Sequence, residues 1–336
     1  MEPSTPTTLS GSTADVQASR PATQVSLSRV GVTGVEKVIR VNVNGSEQLY
    51  FAELQCFVDL NPEQAGVHMS RFEEVVGEAI DRVVLSEAPL RAETLAAHIA
   101  ESVRESQGGL RAEVAVAARY PETVTTPASG QRTQEIYTLF GTAVASERGT
   151  RRLTGVQAQG MTACPCAQEM VSGAARERLV EQGFDGDEIE RVISSVPVAT
   201  HNQRGIGTLY IGCTESSTAD IDARELLQIV EQSMSSEIYE LMKRPDELAV
   251  VEKAHSQPRF VEDCVREMVR RVIDRFSDLD GEAFVMARQE NLETIHRHDV
   301  VAERYGSLAE LRRELESGEH LRHHLTMREW LEAPAA

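Results

Sequence analysis

Two cysteines separated by one proline, Cys164-Pro165-Cys166, sit at the end of an apolar, strand-like run. A Cys-x-Cys pair is too tight for an ordinary disulfide and too short for the Cys-x-x-Cys spacing of redox and zinc-ribbon sites. It points to a single thiolate presented at a turn, as a metal ligand or a nucleophile. The other reading is a buried, inert cysteine of the core. The polar turn and the duplicated sulfur favour the first.

Other residues of similar potential follow in order. His201 lies in Thr200-His-Asn-Gln-Arg204, a polar run at the entrance to a strand, where it either serves a site or is simply solvated. Lys243 and Arg244 are read as closing a long helix, where cations suit the macrodipole. Glu247, just past Pro245, has no such role and is free to act as a ligand. Glu262 falls in the first turn of a helix, a place where acidic residues are favoured on structural grounds alone. His296 and His298 alternate along a strand-like run, so both would face one side, either as solvent-facing residues or as a general acid and base. His320, His323 and His324 read as a solvated helix in the tail.

The elements that must position these residues form a pattern stated twice. Strand-like runs at 24–32, 35–44 and 48–60, with a tight turn at Asn44-Gly45, precede helices from Ser70, capped by Glu73, and over 92–106. Strands at 110–120 and 132–146 complete a β-β-α-α-β-β unit. The second half has strands at 150–161 and 205–213 around a helical insertion at 168–194. A helix from Asp222 to about Met242 and another opened by Pro258 follow, then strands at 282–288 and 294–303. The expected division is a disordered leader at 1–22, a first module at 23–149, a second at 150–305 and a helical tail at 306–336. The expected class is α+β, with two antiparallel sheets, each covered on one face by a helix pair. Closure of the open edges by assembly into a barrel is one way to protect them.

Composition removes several function classes. The net charge over 336 residues is −19, which argues against nucleic-acid binding. Lys37, Lys243 and Lys253 are the only lysines. An acidic, lysine-poor surface suits a protein working at high salt and predicts a halophilic source, the other reading being an ordinary acidic enzyme. No apolar run is long enough for a membrane span and no signal-peptide pattern opens the chain, so a cytoplasmic protein is expected.

Taken together, Gly66-x-His-Met-Ser-Arg71, Cys-Pro-Cys at 164–166, His-Asn-Gln-Arg at 201–204, Lys-Arg-x-Asp-Glu at 243–247, Phe-Val-Glu-Asp at 260–263 and Ile-His-x-His at 295–298 resemble the type IB GTP cyclohydrolases. The similarity is to their archaeal, methanopterin-pathway branch and covers about 26–305. That resemblance implies a bimodular tunnelling fold (T-fold) and a homo-oligomer, dimer or tetramer, with active sites between subunits. It implies Cys164 and Glu247 as metal ligands, with His201 in or beside the coordination shell. It further implies Glu262 on the guanine edge and His296 as the proton-transfer histidine. The insertion between Cys166 and His201 departs from the short bacterial spacing.

The implied reaction is opening of the GTP imidazole ring at C8. Formate leaves, and recyclisation with loss of diphosphate gives 7,8-dihydroneopterin 2′,3′-cyclic phosphate. A metal lowers the pKa of bound water for such an attack. A thiolate, carboxylate and imidazole set admits Fe(2+), Mn(2+) or Zn(2+), and the archaeal relatives point to Fe(2+). Arg204, Lys243 and Arg244 are the candidate triphosphate contacts. Two other classes remain open at this point: a different pterin or deazapurine enzyme of the same fold, and a non-enzymatic metal or redox sensor using Cys164 and Cys166.

Overall fold

A computed structural model describes residues 16–43, 46–86, 91–318 and 322–333. The Asn44-Gly45 turn, His320 and the first 15 residues of the expected leader lie outside them. Gln17 and Ser19 of that leader accept backbone hydrogen bonds from Gly66 and Ala65.

The chain opens with β1 (Leu27–Val43) and β2 (Ser46–Leu60), then α1 (Met69–Ser86) and α2 (Ala92–Gln107), then β3 (Arg111–Thr125) and β4 (Arg132–Ser146). The runs expected at 24–32 and 35–44 are one strand, β1, whose register shifts between Val32 and Val35 around Gly34, at φ 67°. α1 begins one residue before Ser70, and the Glu73 carboxylate pairs with Lys37 of β1.

The second half runs β5 (Gly149–Ala163), α3 (Pro165–Glu181), α4 (Gly186–Ser195), β6 (Asn202–Cys213), α5 (Ala223–Gln232) and β7 (Ser236–Glu237). It continues through α6 (Arg244–Ser256), α7 (Val261–Arg275), β8 (Phe284–Leu292), β9 (Val300–Ser307), α8 (Leu308–Ser317) and α9 (Met327–Glu332).

The expected bimodular tunnelling fold with two separate sheets is not what forms. The described strands make one nine-stranded antiparallel sheet in the order β1-β2-β3-β4-β5-β6-β8-β9, with β7 paired to β5. The reason is local. Ser146 pairs with Gly149, so the expected boundary at 149/150 falls in a two-residue hairpin turn that carries the sheet from β4 into β5. Gly149, the first residue of β5, has φ 121°.

One face of the sheet carries the main core. Val114, Val116, Leu139, Val156, Leu209, Ile211 and Val285 pack there against Leu95, Ile99, Leu226, Val230, Val265 and Met268 of the helices. Strand alternation turns these residues to that side. A small cluster of Leu153, Phe284 and Trp330 covers part of the other face.

Three further differences matter for the site. The helix expected from Asp222 to Met242 stops at Gln232, because Ser236 and Glu237 pair with Met161 and Gly160 of β5, beyond the point where β4 leaves that edge. Lys243 and Arg244 therefore open α6 and do not close a helix, which reverses the macrodipole argument for them. Pro258 lies before the N-cap Phe260 of α7. The final strands occupy 284–292 and 300–307, so His296 and His298 lie in the loop between them.

Candidate functional site

Cys164 is the N-cap of α3, in extended conformation, with Pro165 as the first helical residue. Proline suits that place because its missing N–H has no intrahelical partner there. The Ala167 N–H points at the Cys164 sulfur at 3.5 Å. Cys164 is half-buried and Cys166 exposed, and both are free thiols.

The insertion leaves the sheet at Cys164 and returns at His201. The Cys164 N–H donates to the His201 carbonyl at 3.1 Å, extending the β5–β6 ladder by one step beyond Ala163 and Asn202. Thr200 Oγ1 donates to the Cys164 carbonyl at 2.8 Å. Gln168 Nε2 donates to the carbonyls of Val198 and His255, at 3.0 and 2.7 Å, tying the start of α3 to the end of α6. Ala163 is fixed on both sides: its N–H donates to Ser235 Oγ at 3.1 Å and its carbonyl accepts from Arg259 N–H at 3.0 Å. The root of the site is thus held by backbone and side-chain hydrogen bonds from four segments.

The His201 ring faces Glu293, which the sequence reading did not single out. His201 Nδ1 and Glu293 Oε2 are 4.0 Å apart, with side chains 14% and 7% exposed. Neither atom has a hydrogen-bond partner. A carboxylate just past the end of a strand, without a helix start to explain it, was the available signal. Thr294 Oγ1 donates to the Asn202 carbonyl at 3.2 Å, and Asp299 accepts from the Glu293 N–H at 3.1 Å, closing the loop beside the site.

The remaining candidates stand apart from this root. Glu247 is exposed in the first turn of α6. The far end of that helix meets Gln168, so the helix rise places Glu247 about 12 Å along the axis from His255. Buried Asp246 fixes the near end on the β3–β4 loop. It accepts from the Ala128 and Ser129 N–H groups, at 2.9 and 2.8 Å, and from Ser129 Oγ and the Lys243 N–H. Burial alone would raise its pKa, but these hydrogen bonds together outweigh it and hold the carboxyl well below the usual range.

Lys243 and Arg244 are exposed. Arg204 is exposed while Gln203 is buried, so the arginine lies on the sheet face opposite the core. His296 and His298 are exposed and stacked, with ring centroids 5.2 Å apart. Glu262 is exposed at the start of α7, three residues beyond Arg259, beside a cavity of about 420 Å³ also lined by Val265, Val269, Arg304 and Leu311.

Among the described residues, no group of three or more His, Cys, Asp or Glu side chains is placed to hold a metal ion. The structure brings Cys164 and His201 together by backbone and sets Glu293 beside the histidine; it does not gather Glu247 with them. Sulfur, imidazole and carboxylate are a donor set suited to a borderline divalent cation. The unpartnered His201 and Glu293 atoms fit that guest, as a partial set.

The sequence matches the family model described as type I GTP cyclohydrolase folE2 over residues 13–302. It is 41% identical over 310 residues to the GTP cyclohydrolase MptA of Methanococcus maripaludis, covering 90% of this chain and 98% of that one. To the protein of the same name in Methanocaldococcus jannaschii it is 39% identical over 312 residues, covering 91% and 98%. Among solved structures it resembles a hyper-thermostable uricase mutant (TM-score 0.51, 10% identity, 88% of this chain and 94% of that one). It also resembles the uricase of Arthrobacter globiformis (TM-score 0.50, 10% identity, 88% and 96%). At that identity the likeness concerns the fold alone, and it replaces the tunnelling-fold expectation with a uricase-like arrangement of one antiparallel sheet and helices. No helix among the described residues is long and apolar enough to cross a membrane.

Proposed function

The chain belongs to the type I GTP cyclohydrolase family, and on that premise we propose that its reacting centre is the Cys164–His201 junction. The observation that carries this is the pairing of the two residues at the mouth of the insertion, with His201 Nδ1 left without a hydrogen-bond partner among the described residues. Cys164, His201 and Glu247 hold a divalent cation, Fe(2+) in preference to Mn(2+) or Zn(2+). When bound, that ion lowers the pKa of water for attack at guanine C8.

The protein's own residues do the rest. Glu262 accepts from guanine N1–H and the 2-amino group, a donor pair adenine lacks. His296, beside His298, gives a proton to the imidazole nitrogen as the C–N bond breaks. Arg204, Lys243 and Arg244 contact the triphosphate. Formate leaves, and recyclisation with loss of diphosphate gives 7,8-dihydroneopterin 2′,3′-cyclic phosphate, which feeds methanopterin synthesis.

The site is completed by a second copy in a homo-oligomer, a dimer or tetramer. Two features support this: the described residues of one chain supply only a partial donor set, and Glu247, Glu262, Lys243 and Arg244 are all exposed. Among the described residues, the sheet also ends at β1 and β9 with no further strand beyond them. The net charge of −19 suits a cytoplasmic enzyme working at high salt. Incubation of the Fe(2+)-loaded protein with GTP under reducing, high-salt conditions is expected to yield formate and the cyclic phosphate, identified by mass. Intact GTP after prolonged incubation, with metal bound, would contradict the reading.

A further inference from the structure

Below the Cys164–His201 junction the buried face of the sheet turns polar. Eight buried side-chain N or O atoms among the described residues have no hydrogen-bond partner. Five of them, Thr162 Oγ1, His201 Nδ1, Gln203 Oε1, Gln289 Oε1 and Glu293 Oε2, belong to this one corner. Thr162 pairs with Gln203 across β5 and β6, and Gly205 pairs with Asn291 and Gly207 with Gln289 across β6 and β8. Strand periodicity puts Thr162, Gln203, Gln289 and Asn291 on the core side, in line with His201 and Glu293 just past the strand ends. Thr162 and Gln289 are 0% exposed and Gln203 is 6% exposed.

Glycines make the room. A Cβ at Gly205 would clash with Gln289 Nε2 and stand 3.3 Å from Asn291 Oδ1, and a Cβ at Gly207 would stand 3.2 Å from Gln289 Oε1. Gln289 therefore lies over two glycines, donating to Asn291 Oδ1 at 3.0 Å while its own oxygen has no donor. Buried acceptors in folded proteins are nearly always satisfied, because one left bare keeps its full desolvation penalty. So many in one corner of an otherwise well-paired sheet call for a donor that the described residues do not supply. Water meets that need in a polar recess, with about three hydrogen bonds per molecule.

We propose that Thr162, Gln203 and Gln289 hold a small cluster of ordered waters beneath the junction, and that this cluster fixes the orientation of His201 and Glu293. The three are positioning residues: they act on the reaction through the groups above them. This deepens the reading of Cys164–His201 as the reacting centre and rests on it for its catalytic half.

Apolar isosteres test it. In a dry corner, Thr162→Val and Gln203→Met would remove bare acceptors and raise the melting temperature. With waters present, neither variant is more stable than wild type. Both then lower kcat by about 10- to 100-fold at unchanged KM for GTP, and both weaken metal retention against a chelator. Thr162→Ser, which keeps the hydroxyl, restores kcat to the wild-type range. A high-resolution crystal structure should show the waters directly. More stable isosteric variants, an anhydrous corner or a single cation in it would overturn the proposal. So would a lower melting temperature with kcat and metal retention both intact, which marks a purely structural role. The stability and crystallographic arms need no turnover, so they stand even if GTP proves not to be a substrate.

Discussion

The backbone N–H of Cys164 donates to the carbonyl of His201 at 3.1 Å, across an excursion of two helices, α3 and α4. α3 has no buried residue and α4 has one, Ile189. The excursion therefore adds little to the core of its own chain. Its effect is at the root, where it delivers a helix N-terminus to a sulfur and a histidine to the neighbouring strand.

That arrangement separates the two cysteines. Cys164→Ala is expected to lose bound metal and to lower activity by at least about 10²-fold, as removal of an activating ligand does. Cys166→Ser, at an exposed position, should retain both within a few-fold. Elemental analysis of the purified variants together with formate release checks this. Equal loss from both variants would favour a paired-thiol mechanism instead.

Stability should fall between mildly acidic and mildly alkaline pH. Burial pushes the carboxyl of Glu93 up to about 7, against an ordinary value of 4.5. Burial does the same to Glu231, also to about 7, although the hydrogen bond from Tyr137 opposes it. Both groups stay protonated in the folded chain at pH values where the unfolded chain has already released the proton. Their contribution is therefore fully present below about 4.5 and is lost as pH rises through about 7. Melting temperatures measured at pH 5 and pH 8 should differ in that direction. Glu93→Gln should reduce the difference.

Gly205→Ala is expected to cost about 1–3 kcal/mol by overpacking, because the added carbon meets Gln289 and lies 3.1 Å from Met234 Sδ. Denaturant unfolding measures it. The same change at Gly173, whose Cβ would meet nothing within 4 Å, should be neutral or slightly stabilising through helix propensity.

Much of this was legible in the chain. Strand alternation and the Cys-Pro-Cys turn locate β5 and the start of α3, since a proline after a cap residue is a local signal. The course of the chain after Gln232 was not. Leu226, Leu227, Val230 and Met234 continue a helical period, yet Ser233, Ser235 and Ser236 interrupt it. The pairing of Ser236 with Met161 is a tertiary contact that no local pattern announces. The consequence reaches the site, because Lys243 and Glu247 change from a helix end to a helix start. The same is true of His296 and His298: their spacing of two suggested a strand, whereas a loop brings the rings together by stacking. Glu293 escaped notice because its meaning depends on β6 lying beside β8.

The most direct test of a centre rooted at Cys164–His201 and completed by a second copy is subunit mixing. Cys164→Ala and Glu247→Gln are each inactive alone as purified assemblies. Dissociated together and reassembled, they are expected to regain about one quarter of wild-type activity by random re-assortment in a two-fold assembly, where each mixed pair has one intact site. No recovery from a mixture shown by mass to contain mixed assemblies would place Cys164 and Glu247 in the same chain's site, and the account of a shared centre would be wrong.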